Sequence, residues 1–321
     1  HFKPWKYVTV SFLKNLAGIL VGLFLMYFLQ QGVLGYFNGL LIASAVAAPV
    51  ALFLARSDLV FGFDCATARQ MLRFGYPFIF MGLAFWALSL MDRWMLAEMS
   101  DSFQVGLIGV AFTFATVLMF VRAAFSQAWA PIALTLYRDE PDYKSKYATV
   151  FDGWFFSLVL LSVVMAIFSR ELLMLCTPES YWPAAPVTGL VIMGVAISGT
   201  AQVTALGIYL EKNTRLLAAG AWLAACLNFV VNLLLIPHLG ALGSALATFL
   251  SYLAMTLFYF FYSQKIHRIP VDYRKIFLCM ILLFFGIVSC LLDARIAWSS
   301  EILLLKTGLV LLTVFSLKKL G

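Results

Sequence analysis

The sequence is short of charge. Only 12% of its 321 residues are Asp, Glu, Lys or Arg, while 63% are hydrophobic and the mean hydropathy is +0.96. Soluble domains run at about 25% charged and about 45–50% apolar, so this balance excludes an ordinary soluble domain. Cysteine is equally sparse. Cys65, Cys176, Cys226, Cys279 and Cys290 form no CxxC pair and no even framework, which removes a disulfide scaffold and a zinc ribbon. The three histidines, His1, His238 and His267, are too scattered for a metal cluster. The sequence contains no glycine-rich phosphate loop, HExxH, GxSxG or DxD. No cofactor or metal is expected, and the expectation is a protein that is not an enzyme.

What the sequence has in abundance is long apolar runs. Ten are read as spans: 8–29, 33–54, 74–97, 104–126, 148–168, 184–208, 215–236, 240–262, 274–292 and 297–317. Each suffices to cross a hydrocarbon layer of about 30 Å at about 1.5 Å per helical residue. None alternates with period two, which argues against a lipid-facing barrel. The segments 1–7, 55–73, 136–147, 209–215, 263–275 and 318–321 hold 16 of the 22 Lys and Arg residues. The loops between them hold only Arg170 and Arg295, and Lys14, Arg93, Arg122 and Lys306 lie inside spans. That asymmetry places both ends of the chain on the cytoplasmic side. The net charge of +7 reflects topology and anionic lipid, with no nucleic acid implied.

An internal repeat organises the spans. GVLGYFNGLLIASAVAAPVALFLARSD starts at Gly32 and GALGSALATFLSYLAMTLFYFFYSQKI starts at Gly240. Each opens on GxLG, continues as a small-residue helix and exits into a basic segment. The stretches that follow, ATARQMLRFG and PVDYRKIFLC, carry spaced apolar and basic residues suited to lying along a membrane surface. Four spans separate the copies, so the unit is six helices and the copies share orientation. The layout expected is therefore 1–54 as the last pair of a truncated first bundle, 55–73 as linker, and 74–262 as a six-helix bundle. A linker and an appended helix pair complete it over 263–321. On this reading four N-terminal helices precede the chain.

Charges inside the spans mark candidate sites, because an ionised group at the bilayer centre costs at least ~2.5–3.5 kcal/mol. Asp92 and Arg93 lie in the outer third of their span; Arg122 and Asp152 lie toward the inner side. Asp92–Arg93 reads either as a headgroup-level pair with Arg93 snorkelling outward or as a cavity-facing pair in which the acid holds the base. Arg122 reads either as a salt bridge to Asp152 or as cationic lining for an anionic substrate, since its planar fork suits phosphate. Asp92 and Asp152 are also candidates for taking up a coupling proton. Pro131 is expected to disturb the helix before it, placing Gln127 and Trp129 at a broken helix tip or in an interfacial aromatic belt. Asn228 and Asn232 read as glue between helices. Ser198, Thr200, Gln202 and Thr204 either flex and line a cavity or serve packing. Lys14 is expected to snorkel, and Lys306 to meet lipid or a partner.

The pieces LRFGYPFIFMGLAFWALSLMDRWML (72–96), FSQAWAPIALTLYRDE (125–140), GIYLEKNTRLL (207–217) and NLLLIPHLGALGSALATFLSY (232–252) occur in that order. In them the chain resembles the polysaccharide biosynthesis and O-antigen-type oligosaccharide flippase family of the multidrug/oligosaccharidyl-lipid/polysaccharide exporter superfamily. The resemblance covers most of 72–262. It implies an all-α polytopic membrane protein of two six-helix bundles, the first incomplete here, plus two extra C-terminal helices. It implies a bacterial inner-membrane transporter that flips an undecaprenyl diphosphate-linked oligosaccharide for lipopolysaccharide or other surface polysaccharide. Membrane lipid and that lipid-linked oligosaccharide are the implied partners, with a polymerase or other assembly proteins as further candidates. Asp92, Arg93, Arg122, Gln127 and Trp129 fall on family-like positions, whereas Asp152 rests on depth alone. With the substrate the resemblance implies, Trp86, Trp129 and Trp154 are candidates for stacking on sugar faces. A drug or cation antiporter of the same superfamily is the alternative, and a polysaccharide polymerase a more distant one.

Overall fold

A computed structural model describes residues 4–56, 64–293 and Lys306. Regular structure among them is helical: α1 Pro4–Tyr27, α2 Gly32–Ala55, α3 Cys65–Met99, α4 Ser102–Asp139, α5 Tyr143–Ile167 and α6 Ser169–Cys176. A 3₁₀ turn at Glu179–Ala184 leads to α7 Ala185–Gly199, α8 Ala201–Thr204 and α9 Leu206–Leu210. Then come α10 Thr214–Leu239, α11 Ala241–Ile266 and α12 Tyr273–Asp293. Among the described residues nine segments are long and apolar enough to cross a membrane. The protein is an all-helical, multi-pass membrane protein. The expected tenth span, 297–317, lies outside the described residues except for Lys306.

The chain forms two compact units, His1–Ala68 and Arg69–Gly321. In the first, α1 and α2 form a closely packed hairpin. In the second, α7 is the central pillar, packed against α4, α5, α11 and α12. Every residue of α7 is buried. Its sequence explains that position: APVTGLVIMGVAISG is apolar or small on all sides, and a helix with no polar face belongs inside. α10 and α11 form a second hairpin beside it, and α12 covers α5 and α7.

The two GxLG segments do the same backbone work in the two units. Gly32 and Gly240 both take positive φ, +56° and +54°, at the turn before the helix. That left-handed conformation favours glycine. Three residues on, Gly35 and Gly243 lie against the backbone of the preceding helix. An added methyl group would sit 2.8 Å from Leu25 C and 2.6 Å from Leu235 O respectively.

Three local expectations change. Residues 65–73 do not lie apart as a surface stretch; they are the first turns of α3, a 35-residue helix about 52 Å long. The second such stretch is likewise taken up from Tyr273 into α12. Pro131 does not break its helix, because α4 runs through it unbroken from Ser102 to Asp139. A proline removes only one hydrogen bond from a long helix that is otherwise well held. The break falls instead in SGTAQVTALG, where α7, α8 and α9 are separated at Thr200 and Ala205.

Candidate functional site

Two polar sites lie within the second unit. The first surrounds Asp92, whose side chain is buried. Its Oδ1 accepts hydrogen bonds from Asn228 Nδ2 at 3.1 Å and Asn232 Nδ2 at 2.7 Å, and its Oδ2 accepts from Thr248 Oγ1 at 2.7 Å. Asn232 also donates to Asn228 Oδ1 at 3.0 Å. Asn228 and Asn232 stand one turn apart on α10 and Thr248 on α11, so three helices converge on one carboxylate. The nearby oxygens Asn232 Oδ1 and Ser244 Oγ are buried without hydrogen-bond partners. An ionised carboxylate in a dry interior costs several kcal/mol, and three donors offset only part of that. No cationic side chain pairs with it among the described residues. The arrangement, one carboxylate among neutral oxygen and amide groups, suits one small positive charge.

The second site is a cavity of about 630 Å³ between α3, α4, the broken α7–α9 segment and α11. Arg122, Ser126 and Trp129 line it from α4, Ser198, Gln202 and Tyr209 from the broken segment, and Lys212 from the turn beyond. Phe74, Phe85 and Tyr259 supply aromatic wall, and no Asp or Glu is among the lining residues. Arg122 Nη1 donates to Ser198 Oγ at 3.2 Å, and that hydroxyl donates to Val195 O at 2.8 Å. One hydrogen bond leaves most of a guanidinium's five donors unused. Trp129 Nε1 and Gln202 Oε1 are buried without partners. The break is held from behind: Trp154 Nε1 donates to Gly199 O at 3.2 Å while its ring stacks on Phe125 at 3.6 Å. Thr256 Oγ1 donates to Ile197 O at 3.1 Å. Carbonyls released by the interrupted helix are thus satisfied from α5 and α11.

Basic residues of the linkers make their own side-chain contacts. Arg215 Nε donates to Tyr76 OH at 3.1 Å, and Lys275 Nζ lies 3.8 Å from Asp152 Oδ2. His267, just past α11, is buried with Nε2 3.1 Å from Tyr143 OH and Nδ1 3.7 Å from Glu211 Oε1. Burial, with Lys144 adding to it, lowers the imidazole pKa below its ordinary 6.5, against the opposing pull of Glu211. Ser263 Oγ accepts the Gly207 N–H at 2.9 Å, so α9 is pinned to α11 beside His267.

The predicted residues therefore divide. Arg122 and Trp129 come together in the cavity, joined by Ser198 and Gln202. Asp92 and Arg93 do not form a pair: Asp92 is buried among Asn228, Asn232 and Thr248, while Arg93 is exposed. Neighbours on a helix point about 100° apart, so one turned inward leaves the other facing outward. Arg122 and Asp152 do not bond either. Ser198 holds the first, and Lys275 with the Asp272 N–H, 3.5 Å away, holds the second. Gln127 is exposed and outside the cavity lining, as is Trp86. Lys306 meets Glu171 at 3.1 Å. Lys212 and Tyr209 were missed. The local signal for Lys212 was the EKN turn, in which it takes φ +53°.

A solved structure of the lipid II flippase MurJ in an inward closed conformation matches this chain with a TM-score of 0.63 and 14% identity. The match covers 96% of this chain and 66% of that one. The fold is MurJ-like. No family model matches the sequence, and no curated protein matches it. At this identity the likeness speaks for the architecture, and the chemistry rests on the residues above.

Proposed function

We propose that the protein is a transporter, not an enzyme, and that it flips a lipid-linked oligosaccharide by alternating access. The substrate is an undecaprenyl diphosphate-type glycolipid, moved from the cytoplasmic to the periplasmic leaflet of a bacterial inner membrane for surface polysaccharide, O-antigen included. The observation that carries this reading is the cavity: two cationic side chains, aromatic walls and no carboxylate among the lining residues. Arg122 and Lys212 hold the diphosphate, and Trp129 and Gln202 meet the sugar. The MurJ-like fold supports movement of a large amphiphile. The 16 basic residues on one set of linkers support a cytoplasmic mouth and cytoplasmic ends. Asp92 is the coupling group, neutralised by a proton or a small monovalent cation in part of the cycle.

The second reading, a drug or cation antiporter, draws on Asp92, a buried acid with no basic partner among the described residues. It is disfavoured because Asp92 and Asp152 stand outside the cavity lining, where a cationic drug would need an acid. The test uses the full-length gene in its native bacterium. Deletion should remove surface glycan and accumulate intact lipid-linked repeat units, rescued by wild type and not by Arg122→Ala. Unchanged glycan with altered sensitivity to cationic drugs would select the antiporter.

A further inference from the structure

We infer that His267 is a positioning residue for Lys212: through Glu211 it sets the charge at the cavity mouth and makes anion binding respond to pH. The inference rests on the reading above of the cavity as an anion site. Lys212 is exposed and lines the cavity, so it is the cation a substrate meets first. Its backbone is held in the left-handed region, φ +53°, by Lys212 N–H to Tyr209 O at 3.0 Å and Asn213 N–H to Ile208 O at 3.1 Å. A lysine placed so is preset by its turn. Residue 211 of that same turn carries the carboxylate that reaches His267 Nδ1.

The groups facing the imidazole come from every element around it. Tyr137 on α4 packs edge-on at a ring distance of 6.1 Å. Tyr143 on α5 bonds Nε2 and Lys144 acts at longer range. Glu211 faces Nδ1, and Ser263 ties the base of α11 to Gly207. At neutral pH the imidazole is uncharged and offers one N–H, while Glu211 subtracts from the positive field of its neighbour Lys212. A proton on His267 gives both nitrogens N–H groups, one for Tyr143 and one for Glu211. The carboxylate is then engaged in a charge-assisted bond and the mouth gains one positive charge. An anion in the cavity favours that protonated form, and by reciprocity the protonated form favours the anion.

The test uses the full chain in lipid nanodiscs and, as probe, a short prenyl diphosphate sugar. Each of its phosphates carries one ester and one anhydride linkage and has no second proton to lose near neutrality, unlike a monoester. Its affinity should rise roughly three- to tenfold as pH falls from about 8 to about 5.5. His267→Gln should abolish that slope while keeping neutral-pH affinity. Glu211→Gln, at an exposed position, should bind more tightly at neutral pH with a blunted slope. Lys212→Gln should bind weakly throughout and lose most of the slope. A flat wild type, a His267→Gln slope like wild type, or a Lys212→Gln slope left intact would each overturn the inference while the cavity reading stands. Loss of affinity in Arg122→Ala is the separate check on that reading; if it is absent, both fail.

Discussion

The two polar sites of the second unit differ in how far their hydrogen-bonding capacity is used. Around Asp92 three donors from two helices engage a buried carboxylate, and the polar atoms left over there, Asn232 Oδ1 and Ser244 Oγ, line no cavity of the size found at Arg122. Around Arg122 one hydroxyl engages a guanidinium, and an indole N–H and an amide oxygen go unpartnered beside a cavity of about 630 Å³. A nearly satisfied cluster with no room takes at most a small ion and stiffens the bundle. A half-satisfied one with room awaits a ligand. The difference separates a site for coupling and stability from a site for cargo, although both present the same sequence signal, a charge inside a span.

The largest test of that separation is Arg122→Ala. It should lower affinity for a prenyl diphosphate sugar by about ten- to hundredfold, the equivalent of a charge-assisted contact worth about 1.5–3 kcal/mol, with little change in thermal stability. The complementary change is Thr248→Val. It removes one donor from Asp92 and should cost about 1–3 kcal/mol of stability in detergent unfolding, with probe affinity near wild type. Equal effects of both variants on both readouts would collapse the distinction. Asp92→Asn sharpens it further: flux in proteoliposomes should stop responding to an imposed ion gradient, while equilibrium binding persists.

A smaller effect belongs to acid. Well above pH 6.5 His267 is neutral in folded and unfolded chains alike, so it adds no pH dependence there. Below that value the unfolded chain takes the proton first, because the folded imidazole pKa is lowered. Stability therefore falls as pH drops through and below 6.5, until the folded imidazole is protonated too. His267→Gln should remove this component of the acid slope in thermal unfolding. Smallest of all is Gln127→Ala. Its exposed position predicts a change within about 0.5 kcal/mol in stability and none in binding.

Much of this was legible in the sequence, for a physical reason in each case. Apolar runs announce spans because lipid admits little else, and the all-round apolar face of 185–199 marks the central helix. The GxLG pairs announced a repeat because positive φ and close backbone approach both call for glycine. Arg122 and Trp129 were each legible as candidates, from a charge inside a span and from an aromatic just ahead of a proline; what unites them is that two turns of one unbroken helix bring residues seven apart onto the same face. What stayed hidden was long-range or rotational. Asp92's partners lie 136, 140 and 156 residues away. The Asp92–Arg93 pairing looked persuasive in one dimension and fails in three, since consecutive helical side chains diverge. Pro131 drew attention as the breaker, whereas the actual breaks occur in a stretch with no proline, stabilised by Trp154 and Thr256 from other helices.

The Glu171–Lys306 contact bears on how the chain is assembled. A lysine in an apolar segment resists entry into the bilayer by about 2.5–3.5 kcal/mol near its centre. Lys306 is nearly enclosed and meets both carboxylate oxygens of Glu171, at 3.1 and 3.2 Å. Glu171 is synthesised 135 residues earlier, so the partner of Lys306 exists before the lysine leaves the ribosome. The lysine thus meets a waiting carboxylate, and the order of synthesis itself lowers the cost of enclosing its charge.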